Sequence, residues 1–170
     1  MASKESKRFV IDASVARAVG ETEHPISKSC RDFLSEVLRV CHHLVITKDI
    51  SQEWKNHQSR FASKWRSSMT ARRKIKYLDQ DQLNNIVLRS EIFKTTANEK
   101  VHNAVLKDLH LIEAAMATDC VIISLDEQAR KLYHRISRKI SALKNVVWVN
   151  PTKKDAIEYL RSRASLKKKR

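Results

Sequence analysis

The chain is 170 residues long, carries 34 Lys plus Arg against 19 Asp plus Glu for a formal charge of +15, and contains a single glycine, Gly20. A soluble chain of this length ordinarily holds about 12 glycines; with one, neither a P-loop nor a dinucleotide-binding fingerprint can be built, and the Gly-containing hairpins of an all-β fold are disfavoured. The positive charge points to a polyanionic partner, nucleic acid first and a membrane surface second, because each phosphate neutralised by Lys or Arg releases condensed counterions; the plainer alternative is a basic protein whose charge serves solubility.

Residues 1–7 read as a tail, and MASKESKR has no apolar core of the signal-peptide kind. Arg8-Phe9-Val10-Ile11 is a first strand. Ile26, Cys30, Phe33, Leu34, Val37, Leu38 and Cys41 keep a helical stripe over 26–41, with Pro25 placed at its start. His42-His43 falls at the end of that helix, where it eases the dipole. Leu44-Val45-Ile46-Thr47 is a second strand, and the stretch 54–106 shows no strand and reads as three or so helices inserted after it. Segment 108–118 is helical in propensity, Val121–Ser124 and Val146–Val149 are two further strands, and 152–160 opens with Thr152-x-x-Asp155, close to a capping box. Residues 163–170 are a basic tail. The strands are short, β-branched and almost continuously apolar, as strands buried on both faces are. Alternating with helices, they predict the α/β class: one three-layer α/β/α domain over 8–162 with a short central parallel sheet. Cys30, Cys41 and Cys120 are odd in number and lack a C-x-x-C pair, which argues against a disulfide framework and a zinc ribbon. With no run of about 18 apolar residues, the expectation is a reduced cytoplasmic protein with no membrane segment.

Ligands of open α/β sheets bind at the carboxyl ends of the strands. Asp12 directly follows the first strand, Glu53 lies about a turn and a half into the helix after the second, and Asp126 comes two residues after Ser124. Asp108 starts the helix that returns to the third strand. Singly, Asp12, Asp108 and Asp126 read as helix caps and Glu53 as a surface residue. Together, in a chain poor in acids, they have access to one rim. Clustered carboxylates repel unless a cation neutralises them, and hard oxygen ligands suit Mg²⁺ or Mn²⁺, which in turn serve phosphodiester displacement. His110, two residues after Asp108, is close enough to reach the same rim.

VIDASV (10–15), LVITKDISQEW (44–54) and KDLHLIEAAMATDCVIISLDEQAR (107–130) together resemble the PIN domain, a metal-dependent nuclease fold of toxin–antitoxin toxins and RNA-processing enzymes. The ordered set spans essentially residues 8–160. The resemblance implies that Asp12, Glu53, Asp108 and Asp126 bind one or two divalent ions and that Ser14 and Ser124 support them. It further implies an endonuclease acting on single-stranded RNA, an antitoxin-type partner protein and a homodimer. Glu113 and Asp119 match no acidic position and read as a surface and a helix-end residue; His110 receives no catalytic role. The 54–106 region is longer than the helical pair of compact PIN toxins.

Between Lys55 and Lys76 the chain carries Lys55, Arg60, Lys64, Arg66, Arg72, Arg73, Lys74 and Lys76 and no acid, with Trp54, Phe61, Trp65 and Tyr77 interleaved. This predicts a helical arm that holds single-stranded nucleic acid by its phosphates, with Trp54, Phe61 and Trp65 on its core face at i, i+7, i+11. Arg130, Lys131, Arg135, Arg138 and Lys139 read either as a second such stretch or as a solvated helix face. The alternative to a nuclease is a non-catalytic nucleic-acid-binding module of the same fold.

Overall fold

The computed structural model describes residues 6–162; the expected basic tail, 163–170, lies outside them. The strands are Arg8–Ile11 (β1), His43–Ile46 (β2), Ile75–Tyr77 (β3), Val121–Ile123 (β4) and Val147–Val149 (β5). The helices are Ala13–Ala18 (α1), Pro25–Arg39 (α2), Lys48–His57 (α3), Arg60–Ala71 (α4), Ile86–Thr95 (α5), Glu99–Lys107 (α6), Leu109–Met116 (α7), Glu127–Ser137 (α8) and Ala156–Arg161 (α9). All strand pairs are parallel and the sheet order is β3-β2-β1-β4-β5.

The fold is α/β with helical layers on the sheet, as the alternation of elements predicts. Parallel strands need right-handed crossovers, so the chain runs outward from β1 to β3, then returns over the opposite face to β4 and β5. α2 packs with α4 and α9, while α6 packs with α7 and α8. Phe9, Val10, Leu44, Val45, Ile122 and Ile123 are wholly buried between these layers. No described helix is long and apolar enough to cross a membrane.

β3 corrects the reading of 54–106 as strandless. It is three residues long, lies at the sheet edge, and exposes Lys76 and Tyr77, so it lacks the continuous apolar pattern of a central strand. The aromatic face is also not one helix: the chain breaks at Gln58, and Ser59 caps α4 by accepting from the Ala62 N–H. Trp54 and Trp65 nevertheless meet, their rings 6.1 Å apart. Each indole donates to a buried carbonyl, Trp54 to Ile11 at 2.9 Å and Trp65 to Leu34 at 2.7 Å. α2 stops at Arg39, leaving Cys41 exposed rather than on the stripe. His43 begins β2, and His42 is buried with its Nε2 at 2.9 Å from the Leu160 carbonyl. The last helix starts at Ala156, because Thr152 turns back to bond Asn150 Oδ1. At the other end the domain is already tied at Ser6, whose hydroxyl donates to the Cys41 carbonyl, and at Lys7, whose N–H donates to His42.

The scarcity of glycine leaves its mark at the helix-to-strand turns. Cys41, Arg73 and Cys120 adopt positive φ of 62°, 55° and 60° just before β2, β3 and β4. After α2, the Cys41 N–H donates to Leu38 O and the His42 N–H to Val37 O; after α4, Arg73 and Lys74 repeat the pattern on Thr70 and Met69. Both are Schellman closures, which ordinarily place glycine at this position. A side chain there costs about 1 kcal/mol. Cys41→Gly is therefore expected to raise stability by about 1 kcal/mol, read as a higher midpoint in thermal denaturation; an unchanged or lower midpoint contradicts strain at Cys41.

Candidate active site

The order β3-β2-β1-β4-β5 has its topological switch point between β1 and β4, where connections leave in opposite directions and a crevice opens at the carboxyl ends. Asp12 and Ser124 stand directly at those two strand ends. The Asp12 N–H continues the ladder by donating to Ile123 O at 2.9 Å. Both Ser14 Oγ and Ser124 Oγ donate to Asp12 Oδ2, at 2.6 and 2.7 Å. The same hydroxyls also accept backbone N–H groups: Ser14 from Leu125 at 3.2 Å and Ser124 from Asp126 at 3.0 Å. Two serines thus lock the Asp12 carboxylate and shape the turn that delivers Asp126.

Asp12, Glu53, Asp108 and Asp126 line one cleft of about 250 Å³. The expected quartet therefore shares one site. Asp126 also caps α8, its Oδ1 accepting from the Ala129 N–H at 2.9 Å, so capping and site roles coexist. Asp108 sits between α6 and α7 and its side chain makes no cap bond to α7; the cap reading does not hold for it. Burial first, then the charges of Asp12 and Asp126, push its carboxyl up to about 6 despite the opposing Lys107. Glu53 projects from α3, whose start is capped by Thr47, and its Oε2 lies 3.1 Å from His110 Nε2. Burial lowers the His110 pKa, but Glu53, with Asp49 and Asp108 behind it, outweighs this and raises it.

Three basic residues that the sequence pattern does not single out line the same cleft: Arg17 from α1, His57 at the end of α3 and Lys107 at the end of α6. Lys107 Nζ lies 4.0 Å from Asp126 Oδ2. Adjacency to Asp108 was the available signal for Lys107; Arg17 and His57 had none beyond their helices. The basic arm, by contrast, is divided. Lys55 and Arg60 bracket the α3–α4 break, where the Ser59 N–H bonds Ala16 O beyond the carboxyl end of β1. Lys64 is exposed on α4, and Arg66 donates to Ser51 Oγ at 2.8 Å. Arg72, Arg73 and Lys74 precede β3, and so lie at the amino-terminal rim, across the sheet from the acids. Lys76 lies on β3 itself rather than on a helix. Two other acids serve the scaffold. Glu113 is wholly buried, not a surface residue, and bonds Arg89 at 2.7 Å; Asp119 holds both the Arg8 N–H at 2.7 Å and its guanidinium.

Among the described residues, no three His, Cys, Asp or Glu side chains are gathered into a group that would hold a metal ion as placed. The donor set nevertheless fits a hard divalent cation: carboxylate oxygens around one cleft, one raised by burial and then by its acidic neighbours, with a lysine ammonium drawn beside another. Comparison of the chain with protein-family models, curated proteins and solved structures finds no match.

Folding raises the Asp108 pKa from 3.8 to about 6, so its ionised form opposes folding, an effect absent below 3.8 and full above about 6. Asp108→Asn is expected to melt higher than wild type at pH 8 in metal-free buffer, the difference vanishing towards pH 4. Equal melting of the variant and wild type at both values contradicts the raised Asp108 pKa.

Proposed function

We propose that the protein is a divalent-metal-dependent endonuclease of the PIN class that hydrolyses phosphodiester bonds in single-stranded RNA. The observation that carries this reading is that four carboxylates line one cleft at the sheet's switch point, with Asp12 fixed by two serines. The choice of RNA follows the resemblance to PIN nucleases. Asp12, Asp108 and Asp126 would hold Mg²⁺ or Mn²⁺, with Glu53 completing the site. A divalent ion bound there supplies an activated water and neutralises the charge that develops on the phosphoryl oxygens.

The chain's own groups do the rest. Ser14 and Ser124 hold the Asp12 carboxylate in one rotamer, so no reorganisation is needed when substrate arrives. Glu53, 3.1 Å from His110 Nε2, lies at the cleft wall, where its carboxylate orients a water or accepts its proton. Arg17 and Lys107 offset the repulsion between an anionic strand and the acids.

End-labelled single-stranded RNA should be cut in Mg²⁺ or Mn²⁺, with the product lost on chelation and in Asp12→Asn. Ser124→Ala should retain the fold and require roughly 10- to 100-fold more Mn²⁺ for half-maximal cleavage. Absence of metal-dependent product, or equal cleavage by Asp12→Asn, refutes the nuclease. Salt-dependent RNA binding that ignores chelator and gives no product would instead establish the non-catalytic binding module.

A further inference from the structure

A larger groove, about 570 Å³, runs along β5, the strand that ends the sheet on this side. Its lining includes Trp148 and Val149 of β5, Arg130 of α8, and Lys153, Lys154 and Tyr159. A second hollow of about 170 Å³ shares Arg130 and Trp148 and adds His134 and Lys144.

Trp148 is half-buried and its indole is backed by Tyr133, ring centroids 5.8 Å apart. Tyr133 is held in turn by its hydroxyl, which donates to Val105 O at 2.6 Å. The platform is thus rigid before any ligand arrives. Of the acids lining the groove, Glu127 is already met by Arg130 at 2.7 Å and by Asn150 Nδ2 at 2.9 Å, leaving Asp155 against the exposed Lys153 and Lys154. The groove also adjoins the acids. Glu127 follows Asp126 in sequence, and the Ser124 N–H donates to Val149 O at 3.0 Å, so one inter-strand spacing, about 4.8 Å, separates the strand ends that bear the two sites.

We propose that this groove is a second nucleic-acid subsite: it takes the unpaired nucleotides that flank the acidic cleft, with a base stacked on Trp148 and phosphates on Lys153 and Lys154. It rests on the nucleic-acid reading above. An aromatic platform among cations suits single strands of any sequence, because every base has a stacking face. A polypeptide strand added to the β5 edge would have only three residues to pair with.

The test uses the full chain carrying Asp12→Asn, in chelator so that substrate survives, and oligoribonucleotides bearing 2-aminopurine at successive positions. One position should be quenched on binding. Trp148→Leu should abolish that quenching and weaken binding about tenfold. Lys153→Ser with Lys154→Ser should keep the quenching but reduce the slope of log affinity against log salt by about 1.4, at about 0.7 per phosphate contact on a single strand. Circular dichroism checks folding, and if Trp148→Leu melts early the exposed-lysine pair carries the test alone. An unchanged slope in the lysine variant, quenching retained in a folded Trp148→Leu, no oligonucleotide binding, or pairing of an extended peptide along β5 instead each overturns the subsite. The two readings fail separately. With Asp12 intact, metal-dependent cleavage untouched by either variant removes the groove and leaves the nuclease, whereas groove-dependent binding without cleavage removes the nuclease and leaves the groove.

Discussion

The Asp12 carboxylate accepts hydroxyl bonds from Ser14 and Ser124, residues separated by 110 positions in the chain, and the rest of the site depends on that junction. It joins the carboxyl ends of β1 and β4 at the place where the sheet's connections diverge. Hydrogen bonds to an ionised acceptor are among the stronger neutral-donor interactions a protein makes. Here they also use the serine lone pairs to catch the N–H groups of Leu125 and Asp126, so one small network holds the carboxylate, the β4 turn and the start of α8. Asp108 and Glu53 then arrive from separate crossovers, through α7 and α3, onto a wall already fixed.

Electrostatics gives the arrangement its direction. The chain carries a net charge of +15, yet four of its carboxylates line one cleft, where burial and the neighbouring acids raise the proton affinity of Asp108. Arg17, His57 and Lys107 border the acids closely, and the cations of the β5 groove continue the basic surface beyond them. One glycine is too few for a backbone phosphate cradle, and the cleft is lined instead by side-chain charge of both signs. The same scarcity leaves Cys41, Arg73 and Cys120 in the backbone conformation that glycine usually takes.

The central strands and the acids at their ends were legible because burial on both faces demands continuous β-branched runs, and the residue after such a run must stand at the rim. Asp12, Glu53 and Asp126 could be placed by counting from β1, β2 and β4. The edge could not. β3 is exposed and charged, and its pairing with β2 is decided by where α4 releases the chain. The i, i+7, i+11 spacing of Trp54, Phe61 and Trp65 looked like one helix because the break at Gln58 preserves the burial of both tryptophans while turning the chain. Glu113 read as surface because its partner, Arg89, lies 24 residues away on α5. Arg17 and Lys107 gained their meaning only from three-dimensional proximity to the acids.

A crystal structure of the protein soaked in Mn²⁺, with the metal located by its anomalous scattering, addresses the chemistry most directly. An anomalous peak between Asp12, Asp108 and Asp126, absent from Asp12→Asn crystals, is the result expected of a metal nuclease built on this cleft. Ordered carboxylates with no peak between them at millimolar Mn²⁺ would contradict it.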